Sequence, residues 1–134
     1  MTTITIKKIS WDDKVDLLSE KIESLVSPAL VKEKVLSGEW DLWEVSSGDI
    51  RLGVFVTRLA PSYEGHNEIV IMFTMSEYRL PMKLSDLLLP LYEIVAKLTG
   101  AKAVRIHTVH KPIEDFLEKN GYKFQENIYL KRVD

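Results

Sequence analysis

The feature that most constrains the fold is an apolar run inside the stretch from Glu68 to Met75. Its five consecutive residues from Ile69 to Phe73 are all hydrophobic. Successive side chains of a β-strand point to opposite faces of its sheet, so this strand places apolar side chains on both faces. Such a strand is typical of the centre of a sheet that is covered from both sides. The run therefore predicts a sheet with helices on both faces.

The chain before this strand predicts one further strand and two helices. Residues Thr2–Ile9 alternate between polar and apolar positions, which is typical of a half-buried strand. Ser10 is predicted to cap a first helix, whose apolar residues recur at helical spacing as far as Val26. Ser27–Pro28 ends that helix, and a second helix is predicted over Ala29–Leu36.

A β-hairpin is predicted between the second helix and the apolar strand. Trp40–Val45 is rich in aromatic residues, and Ile50–Leu59 is rich in Val, Phe and Thr. Ser46–Asp49 has the composition of a turn. A loop over Pro61–His66 then leads into the strand Glu68–Met75, so the middle of the chain is expected to form antiparallel strands.

Helices and strands alternate in the second half of the chain. Leucines recur at helical spacing from Leu84 to Leu98. Pro90 lies inside this pattern and is expected to kink the helix or to delay its start, because proline lacks the backbone N–H. A strand is predicted to follow over Lys102–Val109.

The chain is predicted to end with a short helix and an extended segment. Pro112 opens the helix, Asn120–Gly121 closes it, and Tyr122–Val133 is extended. The whole order is β-α-α-β-β-β-α-β-α-β. This order predicts a single α+β domain over residues 1–134, with a mixed, mostly antiparallel sheet and one βαβ crossover.

Composition excludes several classes of function. The chain has 134 residues, with 18 Lys and Arg against 20 Asp and Glu, and this balance does not favour nucleic-acid binding. It has no cysteine, which excludes disulfides, thiolate zinc sites and a cysteine nucleophile. No apolar run approaches the roughly 18 residues of a membrane span. The start of the chain has no apolar segment typical of a secretory signal, so a cytoplasmic location is expected.

The tail Ile113–Phe124, together with the order of elements, resembles the GNAT superfamily of N-acetyltransferases. Members of that family commonly carry the pattern Ala-x-x-Phe-Tyr-Glu-Lys-x-Gly-Phe at this place. The residues of this chain that fit the pattern are Phe116, Glu118, Lys119, Gly121 and Tyr122. The resemblance implies a GNAT-like fold, with a cleft for acetyl-CoA beside the central strand.

The phosphate-binding loop of the family is altered in this chain. The resemblance implies an Arg/Gln-x-x-Gly-x-Gly/Ala loop before the long helix, whose glycines let backbone amides approach the pyrophosphate. Arg79 matches the first position, but Met82 and Leu84 stand where the family has small residues. If the chain does bind acetyl-CoA, the side chains of Arg79, Lys83 and Ser85 are the candidates to hold its phosphates.

The catalytic residues that the resemblance implies are also altered. Leu117 occupies the position of a tyrosine that often protonates the departing CoA thiolate, and His110 replaces an asparagine that commonly contacts the pantetheine region. Glu68 and Glu77 flank the apolar strand and are the candidates for a general base if the chain is active. Carboxylates at strand ends are also ordinary solvent-exposed residues.

These departures predict a non-catalytic structural or interaction protein that binds no cofactor. The resemblance extends to small GNAT-like proteins of tailed phages, which implies a virion-associated or assembly role. The alternative is an acetyl-CoA-dependent N-acetyltransferase with an atypical pyrophosphate loop. A regulatory protein that binds and inhibits a partner is a third hypothesis.

An interaction protein needs a contact surface, and three aromatic residues are the candidates. They are Trp40, Trp43 and Tyr63. The two tryptophans are three residues apart, so on a strand they point to opposite faces, and both are buried if helices cover both faces. The expected partner is another protein or a second copy of the chain. His107 and His110 lack a converging third ligand in the sequence, so no metal site is predicted.

Overall fold

The computed structural model describes residues 4–20, 26–62, 64–76, 84–107, 111–125 and 131–133. Strands and helices follow one another in nearly the predicted order. They are β1 (Ile4–Ile9), α1 (Asp13–Ser19), α2 (Pro28–Leu36), β2 (Asp41–Ser47), β3 (Ile50–Pro61), β4 (Asn67–Ser76), α3 (Leu84–Thr99), β5 (Ala103–Ile106) and α4 (Lys111–Lys119).

The five strands form one mixed sheet in the order β1-β2-β3-β4-β5. The first four strands pair antiparallel with their neighbours, whereas β4 and β5 pair parallel and are joined by α3. A parallel pair needs a crossover connection of this kind. The prediction of a mixed, mostly antiparallel α+β sheet is therefore confirmed.

Helices cover both faces of the sheet, as the apolar run predicts. We call these the α3 face, covered by α3 and α4, and the α1 face, covered by α1 and α2. Buried residues on the α3 face include Trp43, Val45, Phe55, Ile69, Leu88, Tyr92, Val95 and Leu117. Buried residues on the α1 face are Val15, Val31, Leu42, Val54, Val56, Phe73 and Met75.

A β-bulge in β4 shifts the alternation of its side chains. The pairing with β3 passes from Ile71 to Phe73 in a single step, so Met72 is the extra residue. Before the bulge, Ile69 and Ile71 pack on the α3 face; after it, Phe73 and Met75 pack on the α1 face. The continuous apolar run is thus two alternating segments that are joined out of phase.

The first helix begins and ends at different residues from those predicted. Asp12, not Ser10, is its N-cap, because the Asp12 carboxylate accepts a hydrogen bond from the backbone N–H of Val15 at 2.9 Å. The helix stops at Ser19 rather than at Val26. Residues 21–25 lie outside the described residues.

The hairpin turn is tighter than the sequence predicts. Strand β2 continues through Ser47, and only Gly48 and Asp49 connect it to Ile50 at the start of β3. Gly48 has a φ of 59°, a positive value that glycine adopts at little cost in two-residue hairpin turns.

Pro90 does not delay the start of α3. The helix runs from Leu84 to Thr99 with Pro90 inside it. Pro90 lies on the exposed side of the helix, where water can satisfy the carbonyl group of Asp86 that loses its usual donor. The expectation of a delayed helix start is therefore wrong.

The C-terminal part departs furthest from the prediction. Strand β5 ends at Ile106 rather than at Val109, and residues 108–110 lie outside the described residues. Within the predicted final segment Tyr122–Val133, the described residues 122–125 and 131–133 form no regular secondary structure. Residues 126–130 of this predicted segment lie outside the described residues.

Candidate functional site

The pairing between β4 and β5 covers only part of β4. Four residue pairs, from Glu68 opposite Ala103 to Ile71 opposite Ile106, make up the parallel register. Strand β4 continues to Ser76, whereas the described strand β5 stops at Ile106. Among the described residues, the last part of β4 therefore has a strand neighbour, β3, on one side only. Within these described ranges, no strand pairs with the backbone groups on its other side, and such unpaired strand edges are the kind that a ligand or another strand can bind.

The bulge lies where the two strands part. Met72, the extra residue of β4, directly follows the last pair with β5. Bulges increase the local twist and bend the strand that carries them. Among the described residues the pairing of the two strands thus ends at the bulge, and the region beyond it, between the last part of β4 and the end of β5, is the candidate site, called the β4–β5 gap below.

Thr74 and Tyr92 lie on the α3 side of this gap. Their side-chain oxygens are 3.0 Å apart, and the ring of Tyr92 packs edge-on against Phe55 with centroids 4.9 Å apart. Burial raises the pKa of Tyr92 to about 12, although the hydrogen bond with Thr74 opposes this shift. The hydroxyl is thus protonated near neutral pH, and the pair fixes α3 on β4.

Among the comparisons with known proteins, only the comparison with solved structures found matches. No protein-family model matches the chain, and no curated protein is significantly similar to it. Solved structures do match over nearly its whole length. One is a ribosomal-protein-alanine N-acetyltransferase from Brucella melitensis biovar Abortus 2308, with a TM-score of 0.72, 11% identity, and coverage of 98% of this chain and 100% of that one.

Two further structures illustrate the range of these matches. A GNAT family acetyltransferase from Staphylococcus aureus subsp. aureus has a TM-score of 0.65 at 14% identity, covering 99% of this chain and 100% of the other. A protein from Bacillus halodurans C-125, described as a transcriptional regulator, has a TM-score of 0.67 at 14% identity, covering 98% and 100%. The chain has the GNAT fold. At these identities the similarity concerns the fold alone.

Most of the residues that the resemblance singles out for cofactor binding or catalysis lie outside the described residues. These are the candidate phosphate contacts Arg79 and Lys83, the candidate base Glu77, and the altered positions Met82 and His110. Ser85 belongs to the first turn of α3, but its side chain is not described. The roles of these residues, and the filling of the cleft by Met82 and Leu84, stay predictions.

Glu68 is placed at the closed end of the cleft. Its carboxylate forms an ion pair with Arg105 across the parallel strands. Six residues separate Glu68 from Thr74, which is about 20 Å along an extended strand. Glu68 therefore stabilises the β4–β5 register, and its position does not favour the predicted role as general base.

Leu117 offers no proton donor in α4. Its side chain is 8% exposed and packs in the core of the α3 face. The resemblance implies a tyrosine at this position, whose hydroxyl would donate a proton. In the structure an apolar side chain without a donor packs in the core there instead. A proton for the leaving thiolate must come from elsewhere if the chain is an enzyme.

Tyr122 folds back against the α3 face after α4. Gly121, with a φ of 88°, reverses the chain, and the backbone N–H of Tyr122 donates to the carbonyl of Leu117 at 3.0 Å. Within the part of the chain that is described, the Tyr122 hydroxyl is buried without a hydrogen-bond partner. Burial, and then the charge of Glu93, raise the pKa of Tyr122 to about 12.

The two tryptophans do point to opposite faces, but only one remains a candidate contact. Trp43 is 7% exposed on the α3 face, and its Nε1 donates to the Thr57 hydroxyl at 2.9 Å. The prediction that Trp43 contacts a partner is therefore wrong. Trp40 precedes β2 and is half-buried on the α1 face, so its role stays a prediction. Tyr63 lies outside the described residues.

Sequence reasoning missed an ion network centred on Arg51. Its Nε donates to Glu44 at 2.8 Å, and its two terminal nitrogens donate to Asp12 at 3.2 and 2.7 Å. The hydrogen bond from Arg51 is the main cause that lowers the pKa of Asp12. Burial opposes ionisation of Glu44, but hydrogen bonds from Arg51 and Ser46 outweigh it and lower that pKa too. These residues line a surface cavity of about 540 Å³.

The described residues contain no cluster of three or more His, Asp or Glu placed to hold a metal ion. In the same part of the chain, no helix is long and apolar enough to cross a membrane.

Proposed function

We propose that this chain is an acetyl-CoA-dependent N-acetyltransferase that uses the gap between β4 and β5 as its donor site. The observation that carries the proposal is the parting of these strands after Ile71 in a chain that has the GNAT fold over nearly its full length. Several structures with this fold are described as acetyltransferases, and this description supports the proposal.

The open edge of β4 suits the donor chemically. Acetyl-CoA carries amide groups along its pantetheine arm, and these can pair with exposed backbone N–H and C=O groups as an added strand does. The phosphates would then lie near the start of α3, where the helix dipole favours anions. Because residues 79–84 contain no glycine, the side chains of Arg79, Lys83 and Ser85 would replace the usual backbone contacts.

The transfer itself needs little from the protein besides positioning. The amine nitrogen attacks the thioester carbonyl, the C–S bond breaks, and the thiolate leaves. A thiol has an ordinary pKa of about 8.5, so its thiolate is a tolerable leaving group near neutral pH. Without a donor at Leu117 the proton comes from water, which costs a factor of about 10² to 10⁴ in rate. Glu77, or a water that it holds, would take the proton from the amine.

Calorimetric titration with acetyl-CoA tests this function. We expect binding in the micromolar range, and we expect Arg79→Ala to weaken it at least about tenfold, because a charge-assisted phosphate contact is lost. Lys97→Ala is the control for loss of a positive charge, since Lys97 lies in the last turn of α3, at the end away from the proposed phosphate site. Thiol release with a panel of amines then tests turnover. No detectable binding at millimolar acetyl-CoA would overturn the proposal.

The second candidate is a non-catalytic protein that uses the same fold for interaction. It is favoured by the buried, apolar Leu117 and by the glycine-free sequence 79–84. This candidate expects no acetyl-CoA binding, so the titration separates the two. A role in a phage virion stays a prediction, because none of the similarities described above bears on it.

A further inference from the structure

A second cavity lies at the edge of the sheet opposite to the β4–β5 gap. It occupies about 220 Å³ between the end of β1, the end of α2 and the start of β2. Its lining includes Trp11, Trp40, Lys8, Asp41 and Leu36. Because β1 and β5 lie at opposite ends of the strand order in the described part of the sheet, this cavity is separate from the proposed acetyl-CoA site, and the inference drawn from it is independent of that function.

The cavity already holds a cation that belongs to the chain itself. Lys8 Nζ is 2.9 Å from Asp41 Oδ1, and the Lys8 side chain is 63% exposed while that of Asp41 is 28% exposed. Exposed ion pairs of this kind contribute only about 0–1 kcal/mol. Leu36 is the last residue of α2, and the C-terminal end of a helix carries a partial negative charge. The site thus favours a positive charge and holds its present one weakly.

Two indole rings complete the lining. The Trp11 ring is held by its Nε1, which donates to Asp16 at 3.1 Å. The main chain at Trp40 is held by its backbone N–H, which donates to the carbonyl of Lys34 at 3.1 Å. Both rings are half-buried on the α1 face. Indole surfaces attract cations, and a planar guanidinium can also stack on them.

We propose that this cavity binds an arginine side chain of a partner protein. The guanidinium displaces Lys8 from Asp41, donates hydrogen bonds to both carboxylate oxygens, and lies against Trp11 and Trp40. Arginine suits the site better than lysine because its planar group pairs with a carboxylate through two hydrogen bonds and is less strongly hydrated. The cavity is smaller than the roughly 300–1,000 Å³ of sites for larger small molecules, which fits a single side chain.

Nuclear magnetic resonance of the tryptophan indole N–H groups tests this directly on the full chain. The probe is N-acetyl-arginine methylamide, and N-acetyl-citrulline methylamide is the neutral control of nearly the same shape. We expect arginine, but not citrulline, to shift the signals of Trp11 and Trp40 in a saturable way. The signal of Trp43 should stay in place, because that ring is buried on the other face of the sheet.

Two substitutions should change the affinity in opposite directions. Asp41→Asn should weaken arginine binding about tenfold, because the charged hydrogen-bond acceptor is lost. Lys8→Met should strengthen it about threefold, because the competing ammonium is removed. Lys7→Met is the matched control, since the exposed Lys7 pairs with Glu44 instead, and it should leave the affinity unchanged.

Four results would overturn the proposal. They are equal binding of citrulline, equal binding of a lysine probe, no effect of Asp41→Asn, and weaker binding after Lys8→Met. Shifts of the same indole signals on dilution of the protein alone would assign the cavity to a second copy of the chain and would also overturn it. Preserved dispersion of the amide spectrum shows that each variant is folded.

Discussion

At the scale of single residues, two buried tyrosines on the α3 face differ in one respect. The hydroxyl of Tyr92 is paired with Thr74, whereas the hydroxyl of Tyr122 is buried without a partner among the described residues. A buried polar group that makes no hydrogen bond costs about 1–3 kcal/mol, while a satisfied one contributes about 1 kcal/mol. The two hydroxyl groups should therefore affect stability with opposite signs.

Removing each hydroxyl separately tests this difference. We expect Tyr122→Phe to leave the free energy of unfolding unchanged or to raise it by up to about 1 kcal/mol, because an unpaired hydroxyl disappears. We expect Tyr92→Phe to lower it by about 1 kcal/mol, because Thr74 loses its partner. Urea denaturation of both variants measures the two values. A larger loss for Tyr122→Phe than for Tyr92→Phe would contradict this assignment.

At the scale of elements, Arg51 joins the start of α1 to the β2–β3 hairpin. Asp12 caps α1 and Glu44 lies on β2, and one guanidinium binds both carboxylates. The pKa values of both acids are lowered in the folded protein. Their contribution to stability is therefore fully present above the ordinary values of 3.8 and 4.5, and it is lost as the pH falls through the lowered folded values.

Arg51→Met should show this pH dependence. At pH 7 we expect a loss of about 2–4 kcal/mol in the free energy of unfolding, because the largely buried Glu44 carboxylate loses its hydrogen-bonded cation and keeps only the exposed Lys7 at 3.8 Å. Below pH 4 the loss should shrink, because Glu44 can then be protonated. Urea denaturation at both pH values measures it, with Lys14→Met, at the rim of the same cavity, as control. A loss that does not depend on pH would contradict the electrostatic explanation.

The bulge at Met72 determines which face each half of β4 covers. Deletion of Met72 would place Phe73 directly after Ile71, so simple alternation would keep Phe73 and Met75 on the α1 face. Deletion of Thr74, which lies after the bulge, would instead move Met75 into the position of Thr74 on the α3 face. We expect the Met72 deletion to keep cooperative thermal unfolding and the Thr74 deletion to lose it, as circular dichroism on heating would show. Loss of cooperative unfolding in the Met72 deletion alone would contradict the assignment of Met72 as the extra residue.

At the scale of the whole molecule, the sequence predicted the layers of the fold better than its details. The apolar run Ile69–Phe73 indicated a sheet covered on both faces, because a strand that is buried on both faces has apolar residues at consecutive positions. The same run concealed the bulge, since a continuous apolar segment looks alike with or without a change of phase. The sequence predicts Ser10 as the cap instead of Asp12, because both residue types suit that position and only the contacts distinguish them.

For the site residues, local sequence patterns predict even less than they do for the details of the fold. Trp43 was a reasonable surface candidate by residue type, yet its partner Thr57 is 14 positions away along the chain. Asp12 and Arg51 are 39 positions apart. No local sequence pattern predicts such pairs, because they depend on which strands and helices become neighbours in the fold. The loss of a donor at Leu117 could be predicted, because it required only the identity of one residue in a motif.

The proposed acetyltransferase activity requires acetyl-CoA to lie in the gap between β4 and β5. Mapping of backbone amide shifts during titration with acetyl-CoA tests this most directly. We predict saturable shifts concentrated in Phe73–Ser76 and the first turn of α3, with β1 unaffected. The absence of shifts at millimolar acetyl-CoA, or shifts confined to the β1 edge of the sheet, would contradict the assignment of this gap as the donor site.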